Sequence, residues 1–282
     1  MKNNQYFYSS LLILAATNGF IWYVILFNNG AENLELWFFD VGQGDSQMIN
    51  LPGDVQILID GGRSPKVLTE LAKALAPQDR YIDLIIVTHP DFDHFGGLID
   101  VLRTYEVGAV ITNGRSGKAT AWGDFEKIVK EKEIKTLISR EGDKIVYETA
   151  VISVLSPSRT PSPEKAINDS GIVLLLERGG LRALYTADIG FDVENQLARK
   201  YDLSAQILKV AHHGSKYSSN NEFLRGVNPS ISVIGVGKNS YGHPTNAALN
   251  RLADVGSQIF RTDLNGTIKA IFDGLKLKIY YN

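Results

Sequence analysis

All five histidines of this chain fall in three short clusters, and no other feature limits its folding options so tightly: His89 with His94, the adjacent His212 and His213, and His243. The first cluster reads Thr88-His89-Pro90-Asp91-Phe92-Asp93-His94-Phe95-Gly96-Gly97 and follows the apolar run Leu84-Ile85-Ile86-Val87. Imidazoles and carboxylates are thus packed into a few positions, as the ligand chemistry of divalent metals requires. A strand that delivers the chain to one end of a sheet accounts for the spacing. Pro90 cannot continue a ladder and biases His89 toward extended geometry, so the loop must turn at once. His89 and Asp91 can then converge on one ion, while Asp93 and His94 point to a second. Gly96-Gly97 lets a helix containing Leu98, Ile99, Val101 and Leu102 start close against the backbone.

Strand and helix patterns alternate along the rest of the chain. Leu34 to Phe39, Gln47 to Asn50 and Gln56 to Ile59 read as strands separated by Gly-containing turns. Ser64-Pro65 opens a helix with Val67, Leu68, Leu71 and Leu75 on one face. A short strand near Ala109 to Thr112, a helix around Trp122 to Lys132, and strands near Ile145 and at Val151 to Leu155 come next. Ser156 to Glu164 carries three prolines and reads as a loop. Ile172 to Leu176 and Ala183 to Thr186 form a strand pair turning at Gly179-Gly180, and a hairpin at Asp273-Gly274 closes the chain. Asp188 ends an apolar strand, where a carboxylate is costly to bury unless it is paired or metal-bound. Strands in both halves with helices between them predict an α/β (α+β) fold, a four-layer αββα sandwich.

Between Lys2 and Glu32 there is no charged side chain. Phe7 to Phe27, at about 1.5 Å per residue, reaches roughly 30 Å, the thickness of a bilayer core. The expected division is a membrane anchor over residues 1–31, a transmembrane helix, and a single domain over 32–282. Lys2 before the apolar run and Glu32 and Glu35 after it put the domain on the extracytoplasmic side; a cleaved signal segment, which would leave the domain secreted, is the alternative. Lys and Arg number 29 against 31 Asp and Glu, a formal net charge of −2, so no global basic field attracts nucleic acid. Any such binding rests on a local patch, for which Arg63, Lys66, Lys209, Lys216, Lys238 and Arg261 are the candidates. Cysteine is absent, which excludes disulfides, thiolate ligands and a cysteine nucleophile.

At its histidine loop the chain resembles the metallo-β-lactamase superfamily, whose signature is His-x-His-x-Asp-His after a strand, with Asp91 standing where the second histidine usually does. That variant resembles the C-terminal domain of the ComEC competence proteins. Phe39-Asp40-Val41-Gly42-Gln43-Gly44-Asp45-Ser46, Ile59-Asp60-Gly61-Gly62, Lys209-Val210-Ala211-His212-His213-Gly214-Ser215 and Gly237-Lys238-Asn239-Ser240-Tyr241-Gly242-His243-Pro244 resemble its other motifs, in order. The ComEC membrane channel is absent.

The resemblance implies two divalent ions, zinc or manganese, one held by His89, Asp91 and a bridging Asp188, the other by Asp93, His94, Asp188 and His212. His213 would orient substrate or the neighbouring loop, and the reverse assignment of His212 and His213 stays open. The superfamily's middle histidine is replaced around Asn168 and Asp169, either of which could supply oxygen. Two close cations activate water and stabilise charge on an attacked phosphoryl oxygen. Asp93 and His243 are then the catalytic candidates, His243 protonating the leaving oxygen or contacting a phosphate. Asp40 would orient His89, Asp60 would brace the same loop from beneath, and Ser215, Lys216 and Lys238 would meet an anionic substrate. The implied function is a membrane-anchored phosphodiesterase or nuclease acting on DNA, beside a separate DNA-uptake channel. Hydrolysis of a small ester or lactone is a second reading, and a non-catalytic nucleic-acid receptor a third.

Overall fold

The computed structural model describes residues 2–27, 33–160 and 166–281. After helix α1 (Lys2–Phe27), the first half runs β1 (Leu34–Phe38), β2 (Gln47–Leu51), β3 (Val55–Ile59), α2 (Lys66–Ala74), β4 (Tyr81–Val87), α3 (Phe92–Phe95), α4 (Leu98–Thr104), β5 (Glu106–Thr112), α5 (Thr120–Glu131) and β6 (Lys135–Ile138). The second half runs β7 (Lys144–Tyr147), β8 (Ala150–Ser156), β9 (Val173–Arg178), β10 (Leu181–Tyr185), α6 (Phe191–Lys200), β11 (Ile207–Lys209), α7 (Asn221–Val227), β12 (Ile231–Ile234), α8 (Asn246–Asp254), β13 (Gln258–Arg261), α9 (Thr262–Asn265), β14 (Ile268–Phe272) and β15 (Leu277–Tyr281).

Two sheets result. One has eight strands in the order β15-β14-β1-β2-β3-β4-β5-β6, the other seven in the order β13-β12-β11-β10-β9-β8-β7. Their facing sides share a core that includes Leu36, Ile49, Ile57, Ile86, Leu174, Leu176, Tyr185 and Val233. Behind the first sheet, Ile85 and Val87 pack with Val67, Leu98, Val101 and Phe125 of the helices. Behind the second, Leu184 and Leu208 pack with Val193, Phe223 and Leu252. Four layers, αββα, follow from these three apolar interfaces. Because the C-terminal part of β4 is covered on both faces, Leu84 to Val87 form a continuous apolar run rather than an alternating one. Each fully buried Leu, Ile or Val there contributes roughly 1.5–3 kcal/mol.

In each sheet a block of strands runs parallel: β3 to β6 in the first, β10 to β13 in the second. The loops leaving β3, β4, β10, β11 and β12 carry Asp60, His89 to His94, Asp188, His212 with His213, and His243. Ligands crowd beyond the carboxyl ends of parallel strands, where open α/β sheets place their ligand sites.

Three short strands, β6, β12 and β13, go beyond the sequence-based reading. Every residue of β6 is exposed, so no apolar period marks it. Residues 28–32 and 161–165 lie outside the described residues, and with them the Asn28-Asn29-Gly30 break and the end of the expected proline loop. Leu11, Leu12, Ile13, Leu14, Phe20 and Trp22 of α1 are all exposed. Among the described residues no helix is long and apolar enough to cross a membrane.

Candidate metal centre

The site has two walls. The first is organised by Asp60, at the end of β3, which is buried and adopts a left-handed backbone at φ 57°. Its Oδ1 accepts the Thr88 backbone N–H at 2.8 Å. Its Oδ2 accepts the Thr88 hydroxyl at 2.7 Å and lies 2.8 Å from His94 Nδ1. Since the Thr88 hydroxyl spends its proton on Asp60, its oxygen is the acceptor toward His89 Nδ1, 3.0 Å away. One carboxylate therefore fixes the Nδ1–H tautomer of two histidines, directly for His94 and through Thr88 for His89. Both Nε2 atoms are left facing inward, buried and without a hydrogen-bond partner.

The second wall is built from loops after β10, β11 and β12. His213 is buried, its Nδ1 donates to the Gly235 carbonyl at 2.7 Å, and its Nε2 also has no hydrogen-bond partner. That Nε2 lies 3.4 Å from Asp188 Oδ2 and 3.4 Å from Asp93 Oδ2. His94 Nε2 lies 3.3 Å from the same Asp188 oxygen. His89 Nε2 is 3.7 Å from Asp91 Oδ2. Behind Asp188 is Lys209, buried, ion-paired with Asp45, donating to the Ala187 carbonyl at 3.2 Å and standing 3.9 Å from Asp188 Oδ1. Asp45, His94, Asp188 and His213 present ligand atoms all within 4.8 Å of one another.

Charge is dense enough to move the pKa values of several of these groups. Burial pulls His89 down to about 3, helped by the charge of His94. Burial opposes protonation of His213 too, yet Asp188 and Asp45 lift it to about 10. His94 is raised well above the ordinary imidazole value against its burial, by Asp188 and Asp60. The same pairings hold Asp188 far below the usual carboxylate range although burial alone would raise it. Three buried imidazole Nε2 atoms and several carboxylate oxygens aimed at one space need positive charge among them, which a bound cation would supply. Nitrogen and carboxylate oxygen are a donor set that fits zinc or manganese.

Backbone strain concentrates here. His212 and His213 are consecutive left-handed residues, at φ 50° and 52°, and Ala187, just before Asp188, is a third at φ 47°. Non-glycine residues enter this region at a cost of about 1–3 kcal/mol each, and they cluster where function holds them. The double left-handed turn swings His213 into the core of the site and leaves His212 on its rim, 4.0 Å from Asp188 Oδ2 and 3.5 Å from the Asn168 amide.

The other expected residues divide. Asp91, Asp93, Asn168, Asp188, His212, His213 and His243 line one cavity of about 200 Å³ together with Gln43 and Tyr241. Asp169 points elsewhere, accepting the Gly190 N–H at 3.0 Å. Asp40 does not orient His89; it pairs with Lys66 at 2.7 Å, and Thr88 takes the place expected for it. Ser215 is buried, caps its own turn by accepting the Tyr217 N–H at 3.3 Å, and does not line the cavity. Lys216 and Lys238 are exposed and do not line the cavity. Lys209, expected on a basic surface patch, is instead buried against Asp45. Asp45 had no assigned role in the sequence, although a carboxylate inside a Gly-Asp-Ser turn is the kind of residue that needs a partner. A larger hollow of about 640 Å³ opens between α5 and strands β5 and β6, lined by Trp122, Phe125 and Val129, but it holds none of the clustered ligands.

The comparisons with known proteins agree with this geometry. Residues 39–238 match the model of the metallo-beta-lactamase superfamily. ComE operon protein 3 of Bacillus subtilis is 30% identical over 83% of this chain, and competence protein ComA of Neisseria gonorrhoeae is 30% identical over 82%. The aligned regions are 32% and 31% of those proteins, so the chain spans about a third of the length of its curated relatives. Among solved structures, the metallo-beta-lactamase fold protein YhfI of Bacillus subtilis superposes with a TM-score of 0.58 at 12% identity, covering 88% of this chain and all (100%) of that one. With its two-sheet sandwich and its ligands at the strand ends, the chain belongs to the metallo-β-lactamase superfamily of metal-dependent hydrolases.

Proposed function

We propose that this chain is a membrane-anchored phosphodiesterase that hydrolyses DNA at the cell surface with two divalent ions, zinc or manganese, in a competence-type DNA-uptake process. The observation that carries the reading is the trio of buried, unpartnered Nε2 atoms on His89, His94 and His213, facing Asp188 and Asp93. His89, Asp91 and Asp188 would hold one ion; Asp93, His94, His213 and Asp188 would hold the other, with His212 on the rim. Bound there, the cations would polarise a phosphoryl oxygen and lower the pKa of the attacking water.

The chain's own residues supply the rest. Lys209 offsets the negative charge of Asp45 and Asp188, which would otherwise crowd one buried space. Asp93 stays ionised because its close approach to His213 and the charge of His94 outweigh its burial, so it can accept a hydrogen bond from an oxygen bound in the cavity. His243 lines the same cavity with an unpartnered Nδ1, and burial together with His212 lowers its pKa. As a neutral imidazole it offers one N–H and one lone pair to the leaving oxygen.

DNA as substrate is supported by the printed name of one relative, competence protein ComA, together with the resemblance of the motifs to the ComEC competence proteins. Anchoring is supported by the exposed apolar residues of α1, which carries no charged side chain after Lys2, and the domain would then sit outside the membrane.

Incubating the detergent-solubilised chain with end-labelled DNA and Mn²⁺ or Zn²⁺ tests the reading. Nucleotide release is expected to stop on chelation and to fall at least about 100-fold in Asp93→Ala, with roughly two ions per chain by elemental analysis. Binding without cleavage would favour the receptor reading, and a single ion would refute the two-metal assignment.

A further inference from the structure

The cavity above the metal centre, about 200 Å³, has room for a phosphate group but not for the nucleosides on either side of it. What flanks the scissile phosphate must rest on the rim. Tyr241 lines this cavity and is nevertheless 72% exposed. Its ring lies 5.9 Å from that of His243 at 33°, and His243 lies 5.5 Å from His212, so Tyr241 is the outer end of a line of rings leading to the ligands.

The loop that presents it is pinned. Asn239 Oδ1 accepts the backbone N–H of Tyr241 and of His243, each at 3.0 Å. Asn239 Nδ2 donates to the carbonyls of Gly237 at 2.9 Å and His243 at 2.8 Å. Gly237 is pressed so closely on Gly42 and Gln43 that a methyl group there would collide with their backbone. An aromatic face held in water on a fixed loop has already lost the freedom that binding would otherwise remove.

We propose that Tyr241 is a stacking platform for the base next to the scissile phosphate, and that the preferred substrate is single-stranded DNA; this rests on the phosphodiesterase reading above. In a duplex each base is covered on both faces by its neighbours, whereas an unpaired base can leave the stack and lie on the phenol ring. One such stack changes affinity by roughly 5- to 150-fold.

Steady-state hydrolysis of a single-stranded oligonucleotide by the full chain with Mn²⁺ is the test, using Tyr241→Ala, Tyr241→Leu and Tyr241→Phe. Ala and Leu are expected to raise KM by about tenfold with kcat within about twofold, while Phe keeps the wild-type KM. An abasic residue beside the cleaved bond should cost the wild type the same factor and the Ala variant nothing more, because both changes remove one interaction. Cleavage with an unchanged KM in Ala, a Leu variant that matches Phe, or equal KM for duplex and single strand would each overturn the platform while leaving the phosphodiesterase standing. Failure of the metal-loaded wild type to cut any DNA would overturn both.

Discussion

The two walls of the metal centre solve the same problem with opposite charges. On the first wall the residues to be held are imidazoles, and the brace is an anion: Asp60 accepts from His94 and, through Thr88, sets His89. On the second wall the critical donor is a carboxylate, Asp188, and the brace is a cation: Lys209, paired with Asp45. His213, the imidazole of that wall, leans on the Gly235 carbonyl instead. The anionic brace acts by hydrogen-bond direction and tautomer, the cationic one by charge balance. Loss of the first should therefore appear mainly in metal affinity, and loss of the second mainly in folding stability.

The largest effect is expected at Lys209. In Lys209→Met, Asp45 and Asp188 remain buried without their cation, and breaking a buried pair from one side costs about 3–5 kcal/mol. Chemical denaturation without added metal measures it. The double variant Lys209→Met with Asp45→Asn should recover most of the loss, since the second change removes the stranded charge. A Met variant as stable as wild type would erase the contrast between the walls.

A smaller effect belongs to the outer support of the second wall. Glu194 of α6 accepts from the backbone of Ser219 and of Asn220, which tie the turn after His213 to α6. Burial pushes its carboxyl up to about 7 in spite of these donors. The folded chain therefore holds a proton there at pH values where the unfolded chain, near 4.5, has released it. That contribution is fully present below pH 4.5, declines between 4.5 and 7, and has cost about 3 kcal/mol above that. Because His89 titrates with the opposite sign over part of this window, the readout is the difference between wild type and Glu194→Gln: the urea midpoint of wild type relative to the variant should fall from pH 4.5 to 7. A difference that stays constant or rises from pH 5 to 7.5 would place the ionised form in the fold.

Legibility in the sequence follows the same division. The first wall could be read because His89, Asp91, Asp93 and His94 are neighbours in the chain and Asp60 ends a recognisable strand. The Lys209–Asp45 pair joins positions 164 apart, and nothing in either stretch announces the other. Hence Lys209 read as a surface cation. His212 and His213 could not be told apart because the choice lies in two consecutive left-handed residues, a backbone that residue type alone does not signal. Asp40 misled for the opposite reason: its closeness to the first motif suggested His89, while its partner Lys66 opens the next helix. In the fold, buried parallel strands such as β4 announced themselves by apolar runs, whereas β6, exposed along its length, carried no such mark.

Asp60 sharpens the comparison most finely, because its replacement can keep the shape of the wall and change only its polarity. In Asp60→Asn one carboxylate oxygen becomes an amide donor. If that donor faces the Thr88 hydroxyl and His94 Nδ1, the His94 proton loses its acceptor and the ring gains by moving it to Nε2, where it blocks the lone pair a metal needs. If it faces the Thr88 backbone N–H instead, two donors oppose each other in a buried space. Either way metal affinity should fall by about 10- to 100-fold, as for other groups that orient metal-binding histidines, read by competition against a chromophoric chelator. Asp40→Asn is the matched control on the same wall: its carboxylate is partly exposed and paired with Lys66, so affinity should change less than about twofold. If both variants lose metal equally, the general negative charge of the wall holds the ion and the tautomer mechanism fails. If only Asp60→Asn does, a single carboxylate that touches neither Nε2 sets which nitrogen each histidine offers.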